Sequence, residues 1–220
     1  MRSFNEIHAI AADRKGGPEA LEAMLTRPAG AEELAAIADD RWLSQMTKCV
    51  FQAGFNWKVV ETKWSGFEAA FHGFDPGKCA FMDEDEFDKL LTNKHIIRNG
   101  AKIATVRDNA GFVLGLRDRG GAGVVLGGWP STDYVGLLEH LKQNGSRLGG
   151  ATGQYAMRFM GRDSFILSRD VTARLVAEAV IDKPATSKGA LAKVQAAFNT
   201  WMDQSGRGLS DISRVLAMSV

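Results

Sequence analysis

The chain has 220 residues, enough for one large domain or two small lobes with a well-buried core. Its 45% hydrophobic and 24% charged residues are those of an ordinary globular protein, and no apolar run approaches the roughly 18 residues of a membrane span. The formal net charge of +1 selects no partner, yet Leu141 to Val220 carries 11 Lys+Arg against 6 Asp+Glu, a balance of +5, leaving −4 for the first 140 residues. Such a basic C-terminal portion permits a polyanionic partner, and solvated helix faces give the same split.

The N-terminus, MRSFNEIHAIAADRKGG, has no long apolar block and no small-residue cleavage site, so it reads as a first helix rather than a signal peptide. Ser3 with Glu6 forms a capping box ahead of an apolar stripe of Phe4, Ile7 and Ile10. Pro18 opens a second helix. The stretch AEELAAIADDRWLSQMTKCVFQAG holds a short helix, a cap at Asp39 or Asp40, and a longer apolar helix. In NWKVVETKWSGFEAAFHGF, Trp57, Val60 and Trp64 fall at helical spacing. Another helix starts after Asp75-Pro76, and MDEDEFDKLL begins at an acidic first turn. Ile103, Val106, Ala110 and Val113 share one face of the next. PSTDYVGLLEHLKQNG opens at a Ser131 or Thr132 cap and closes at Gly145. QYAMRFMG and SRDVTARLVAEAVI follow, then Thr186 to Gln204, then a last turn near Leu209 to Met218.

No segment makes a convincing strand. GAGVVLGGW is the best candidate, and its four glycines favour a loop. The expected fold class is therefore all-α, with about ten helices and no fixed-period repeat. RDRGGAGVVLGGWPS, residues 117 to 131, reads as a joint within one globule.

Two cysteines, Cys49 and Cys79, make no disulfide framework, so a reducing cytoplasm is the expected compartment. His8, His72, His95 and His140 are scattered, and neither cysteine sits in a metal-ligand spacing, so no metal is expected. There is no G-x-S-x-G, no Walker loop and no dinucleotide fingerprint, so no cofactor is implied.

LKQNGSRLGGATGQYAMRFMGRDSFILSRDVTARL, residues 141 to 175, is more informative. One helix ends at Gly145, Gly149 and Gly150 make a tight turn, and a second helix begins at Ala151 or Thr152. Turn glycines let backbone N–H groups approach closely, and a helix N-terminus attracts anions. Gly149, Gly150 and Thr152, with Arg147 adding charge, can therefore bind a phosphate without reading a base. Twenty residues beyond Gly150 lies Asp170, either a helix cap or a carboxylate aimed at the mouth of a groove.

The opposite end of the apolar core poses a question. Gln52, Gly54, Asn56 and Trp57 interrupt an apolar run, and Gly costs about 1 kcal/mol in a helix interior. Either the helix ends here over a site, or something passes close by.

A hairpin with an aspartate about twenty residues on resembles the helix–hairpin–helix DNA glycosylase superfamily. A second block resembles the 3-methyladenine DNA glycosylase I family: Gln52-Ala53-Gly54 with Trp57, Phe71 with Phe74-Asp75-Pro76, Ile96-Ile97-Arg98 with Lys102-Ile103, Asn109-Ala110, and later Gly150 and Tyr155. The resemblance covers about residues 42 to 175. It implies one helical glycosylase domain over 1–220, with divergent N-terminal helices in 1–40 and the helix–hairpin–helix with its following helix in 141–175.

It further implies a monofunctional N-glycosylase of base-excision repair. A flipped alkylated purine such as 3-methyladenine would stack on Trp57, Gln52 would read its edge, and Gly54 would let the backbone come close. Trp57 also fits a core aromatic, and Trp64 fits the core better still. Asp170 falls where the superfamily keeps its catalytic aspartate, to stabilise an oxocarbenium-like sugar or orient water. The superfamily's lyase lysine is replaced by Ala151 and Thr152, so no strand cleavage is expected. Lys102, in RNGAKIATV, reads as a helix-surface or structural residue.

This chain departs from the family in places. Cys49 stands where the family has a base-facing glutamate, and a neutral thiol does not stabilise a cationic base. The family's N-terminal tyrosines and its zinc ligands have no counterparts. The expected partner is double-stranded DNA with a damaged base, met by a monomer. A non-catalytic DNA-binding or damage-sensing protein of the same fold is the alternative, and an unrelated helical interaction module a third.

Overall fold

The structure, a computed structural model, describes residues 1–220. It is all-α. The helices are α1 (Phe4–Lys15), α2 (Pro18–Glu22), α3 (Ala31–Ala35), α4 (Asp39–Gln52), α5 (Trp57–Thr62), α6 (Trp64–Ala70), α7 (Pro76–Ala80), α8 (Glu84–Thr92), α9 (Gly100–Leu114), α10 (Tyr134–Asn144), α11 (Ala151–Phe159), α12 (Arg169–Ala177), α13 (Lys188–Ser205) and α14 (Leu209–Met218). Fourteen α-helices replace the expected ten or so, because several segments break into short pieces joined by single turns.

Many boundaries follow local chemistry. The Ser3–Glu6 capping box opens α1, and Gly16 closes it in the left-handed region at φ 90°. Pro18 and Pro76 sit in the first turns of α2 and α7, and Asp75 caps α7. Asp83 caps the acidic first turn of α8, and Asn99 caps α9. The expected Asp39 or Asp40 cap is absent: Ala38 occupies the cap position of α4, and Asp39 accepts instead from the Ala122 N–H at 2.8 Å. Before α10, Ser131–Asp133 forms a separate 3-10 turn. The glycine-rich stretch expected as a loop forms a wide helical turn over Gly123–Gly127. A Cβ on Gly123 would lie 2.5 Å from the Leu34 carbonyl, and one on Gly127 2.7 Å from the Leu34 Cβ, so glycine there admits α3.

The chain divides into two compact units. Residues 1–29, 129–137 and 161–220 form the first. Its core is aromatic: Phe165 stacks on Phe198 with centroids 4.5 Å apart, and Tyr134 meets Phe165 edge-on at 4.8 Å. Each fully buried ring contributes about 1.5–3 kcal/mol of burial. The Trp201 indole donates to the Arg2 carbonyl at 3.1 Å, fastening the N-terminal strand of chain to α13. Glu178, almost fully buried, accepts from the Arg2 backbone N–H and guanidinium, both at 2.8 Å, and from Arg174 at 3.1 Å.

Residues 30–128 and 138–160 form the second unit. Helix α4 runs through its centre, burying Trp42, Leu43, Met46, Cys49, Val50 and Phe51 against α9, α11 and the α6–α7 segment. Phe67, Phe71 and Phe74 form an aromatic stack with Trp64. Arg41 clamps Glu68 with two guanidinium bonds of 2.9 and 3.0 Å, and Ser44 and Trp64 donate to the same carboxylate.

The Glu178 cluster gives a stability prediction. Burial would raise this carboxyl, but the Arg2 N–H and the Arg2 and Arg174 guanidiniums outweigh it and hold the group below its ordinary value of 4.5. Its contribution is thus present above the unfolded-state value and is lost as pH falls through the lower folded one. Glu178→Ala strands the buried Arg174 charge and should cost about 3–5 kcal/mol at neutral pH, read from urea unfolding. The difference from the parent protein should shrink on acidification below that value.

Candidate functional site

The candidate base-binding residues all belong to the second unit, around the end of α4. The helix stops at Gln52, and its final carbonyls lack intrahelical partners. Lys102 of α9 supplies them: its ammonium donates to the Phe51 carbonyl at 3.1 Å and the Ala53 carbonyl at 2.7 Å. Burial, with the nearby Arg147 charge, pushes the Lys102 ammonium below its ordinary value. Lys102 is thus committed to the end of α4.

Gly54 follows at φ 68°, in the left-handed region that favours glycine. A Cβ here would meet nothing within 4 Å, so the reversal of direction, not a close neighbour, demands glycine. Asn56 then caps α5 by accepting from the Lys58 N–H at 2.9 Å. Trp57 is the first residue of the new helix. The interruption in the sequence is therefore a helix end, a turn and a second helix start.

Trp57 is 42% exposed and lies outside the core. Its ring stands nearly perpendicular to Tyr155 at 5.2 Å and to Phe159 at 5.9 Å, both from α11. Trp64 behaves differently, half-buried and stacked on Phe67 and Phe74. The continuous stripe suggested by Trp57, Val60 and Trp64 is broken at Lys63, where α5 ends and α6 begins.

Gln52 is buried, at 3% exposure. Its Nε2 donates to Glu61 at 3.1 Å, and its Oε1 is buried with no partner. Cys49 is also buried, and burial pushes its thiol up to about 11, so it is neutral at physiological pH. Gln45 Nε2 lies 3.3 Å from the sulfur. Glu61 was not singled out from the sequence. It accepts from Lys48 Nζ at 3.1 Å as well as from Gln52. A concavity lined by Thr62, Lys63, Gly66, Ala69 and His95 lies further along α5 and α6 and includes none of the candidate residues.

Where the hairpin was expected, helices α10 and α11 are joined by a tight turn over residues 145–150. Arg147 at φ 59° is exposed, and Gly150, also at φ 59°, precedes α11. A Cβ on Gly153 would lie 2.4 Å from the Leu148 carbonyl, so glycine there lets the turn fold onto the helix. Thr152 is half-buried in the first turn of α11, where backbone N–H groups point out of the helix. Gly149 packs on Lys142. The fixing group is one the sequence reading did not single out for this role: buried Asn109 of α9 accepts from the Ser146 N–H at 2.7 Å and donates to its carbonyl at 3.1 Å.

Asp170 belongs to the other unit. The cap of α12 is Ser168, which accepts from the Val171 N–H at 3.2 Å. Asp170 is the second residue of that helix, exposed, and its carboxylate makes no hydrogen bond or ion pair. It is a free acidic group at a helix N-terminus rather than a cap. No group of three or more His, Cys, Asp or Glu side chains is arranged to hold a metal ion, and no helix is long and apolar enough to cross a membrane.

This architecture is that of the helical DNA glycosylases. The Methanocaldococcus jannaschii 8-oxoguanine glycosylase/lyase, solved with a 15mer DNA containing 8-oxoguanine, superposes with a TM-score of 0.53 over 96% of this chain and 95% of that one, at 13% identity. A 3-methyladenine DNA glycosylase I variant, solved with 3-methyladenine, superposes with a TM-score of 0.52 over 69% of this chain and 90% of that one, at 19% identity. The family model for methyladenine glycosylase matches residues 35–124. The Escherichia coli (strain K12) DNA-3-methyladenine glycosylase 1 is 38% identical over 69 residues, 31% of this chain and 37% of that protein. The chain thus aligns with just over a third of that curated relative's length. The middle segment, residues 35–124, is thus similar to the methyladenine glycosylases, and the match does not extend to the rest of the chain.

Asn109 gives the prediction for this region. Asn109→Ala leaves the Ser146 N–H and carbonyl without their partner and should cost about 2 kcal/mol in thermal or urea unfolding.

Proposed function

We propose that this chain is a monofunctional DNA N-glycosylase that hydrolyses the glycosidic bond of alkylated purines such as 3-methyladenine. The observation that carries the reading is Trp57: a large aromatic side chain, 42% exposed, braced edge-on by Tyr155 and Phe159. An indole braced in this way offers a stacking surface to a base taken out of the duplex. The family match of residues 35–124 supports the same substrate class.

N3-alkylated adenine is cationic, so its glycosidic bond is already weakened. The protein need only extrude the base, stack it on Trp57, read its edge with Gln52 and stabilise the positive sugar while water attacks. Asp170, an unpaired and exposed carboxylate, has the chemistry for that stabilisation. The Gly149–Gly150 turn, the first-turn N–H groups of α11 including that of Thr152, and exposed Arg147 suit the phosphate backbone. No strand cleavage is expected, because Ala151 and Thr152 carry no amine and the Lys102 ammonium is committed to two carbonyls. The partner is duplex DNA with a damaged base, the acting species a monomer, and the compartment the cytoplasm.

One observation favours the second reading, a damage-binding protein without turnover. Cys49 is buried and neutral where the family resemblance calls for a carboxylate.

Base release from methylated duplex DNA under single-turnover conditions separates the two. The enzyme reading expects free 3-methyladenine by chromatography, and a loss of about a hundredfold or more in rate for Asp170→Asn with DNA affinity retained. Release that survives Asp170→Asn would remove Asp170 as the catalytic group. Binding without release would favour the sensor. Trp57→Ala should abolish release while changing unfolding by about 1 kcal/mol or less, since the ring is outside the core.

A further inference from the structure

Glu61 is the group left unexplained by the proposed reaction. It is the fifth residue of α5, four after Trp57, so the two side chains rise from the same face one helical turn apart. Its side chain is 54% exposed. Its two oxygens are divided: Oε1 accepts from buried Gln52, and Oε2 faces Lys48 Nζ at 3.1 Å. The Gln52 amide has no other partner, its Oε1 being buried and unsatisfied, so Glu61 alone fixes the orientation of that amide. A negative charge and an exposed ring thus share one face of α5, and the charge is bonded to the buried amide of Gln52 on α4.

Lys48 completes the arrangement. Its ammonium neutralises Glu61 in the unliganded protein, and it also lies 4.8 Å from the centroid of the Trp64 ring. A cation arriving on Trp57 can take over the Glu61 carboxylate while Lys48 keeps its place over the indole of Trp64, where a cation is also stabilised. A neutral base brings no charge to compensate the loss of the Lys48 bond. The exchange therefore discriminates by charge.

We propose that Glu61 is the specificity-determining carboxylate of the base-binding face, selecting positively charged N-alkylated purines over neutral ones through exchange with Lys48. This rests on the stacking role of Trp57 in the proposed function. It adds a charge-selective element at a position distinct from Cys49.

The test uses two small probes that need no catalysis: 3,9-dimethyladeninium, a permanently cationic mimic of the N3-alkylated nucleoside, and neutral 9-methyladenine. Affinities are measured by calorimetry with the full chain. The parent protein should prefer the cation by about tenfold, the equivalent of one charge-assisted contact. Glu61→Gln should abolish that preference and leave the affinity for 9-methyladenine within about twofold. Lys48→Met should strengthen binding of the cation alone, since it frees the carboxylate. Trp57→Ala should weaken both probes. Both polar positions are at the rim, and far-ultraviolet circular dichroism checks that each variant is folded.

Retention of the cation preference in Glu61→Gln, with both probes still dependent on Trp57, overturns the role of Glu61 and leaves the base-stacking reading intact. Binding of neither probe by the folded parent protein overturns the stacking reading and the Glu61 proposal together. An unchanged cation affinity in Lys48→Met overturns the exchange.

Discussion

The geometry of the candidate site depends on how α4 ends. An apolar helix that buries Trp42, Leu43, Met46, Val50 and Phe51 has every energetic reason to continue, and its last carbonyls concentrate partial negative charge. Lys102, reaching from α9, satisfies the carbonyls of Phe51 and Ala53 and so makes termination cheap. Gly54 supplies the left-handed step and Asn56 restarts the helix. From that single terminus follow the exposure of Trp57, the direction of α5 and the approach of Glu61 to Gln52. The Lys102 charge is disfavoured by burial, and its two bonds to the helix end, one part-buried and one exposed, offset that cost.

The same terminus accounts for the distribution of charge. A carboxylate at Cys49 would sit on the buried face of α4 and carry the full cost of desolvation. A carboxylate at Glu61 is about half solvated, so its presence costs little, and its field is correspondingly weaker and more open to screening by salt. A rim carboxylate is therefore suited to discrimination by charge at modest affinity, and less to driving a difficult bond cleavage. Under the proposed function, an N-alkylated purine cation, whose leaving group is already activated, is a substrate for which that modest contribution suffices.

Much of the helical fold was legible in the sequence because caps and first-turn residues act locally. Ser3 with Glu6, Pro18, Asp75-Pro76 and the acidic run after Asp83 mark starts that the structure retains. Legibility failed where a distant group took over a local residue. Asp39 has the chemistry of a cap but accepts from Ala122, 83 residues away in sequence. Asn109 looks like a polar interruption in an apolar helix, and only its bonds to Ser146, 37 positions along the chain, reveal it as the clamp on the hairpin. Helical spacing grouped Trp57 with Trp64 because periodicity assumes one continuous helix, and the break at Lys63 sends one ring to the surface and the other into the stack. Glu61 escaped notice for the related reason that its partners lie on α4.

Two kinds of residue therefore surround the candidate site, and they differ in what holds them. Lys102 and Asn109 are fixed by backbone atoms, and their loss leaves unsatisfied polar groups in the frame of the unit. Trp57 and Glu61 are held by rings and side chains at the rim, where little apolar area or backbone pairing depends on them. The frame can thus remain rigid while the rim changes composition, since rim substitutions draw on little folding free energy. That separation lets Cys49 stay buried and neutral on α4 while Glu61 carries its charge at the surface of α5, with the turn at Gly54 unaffected by either.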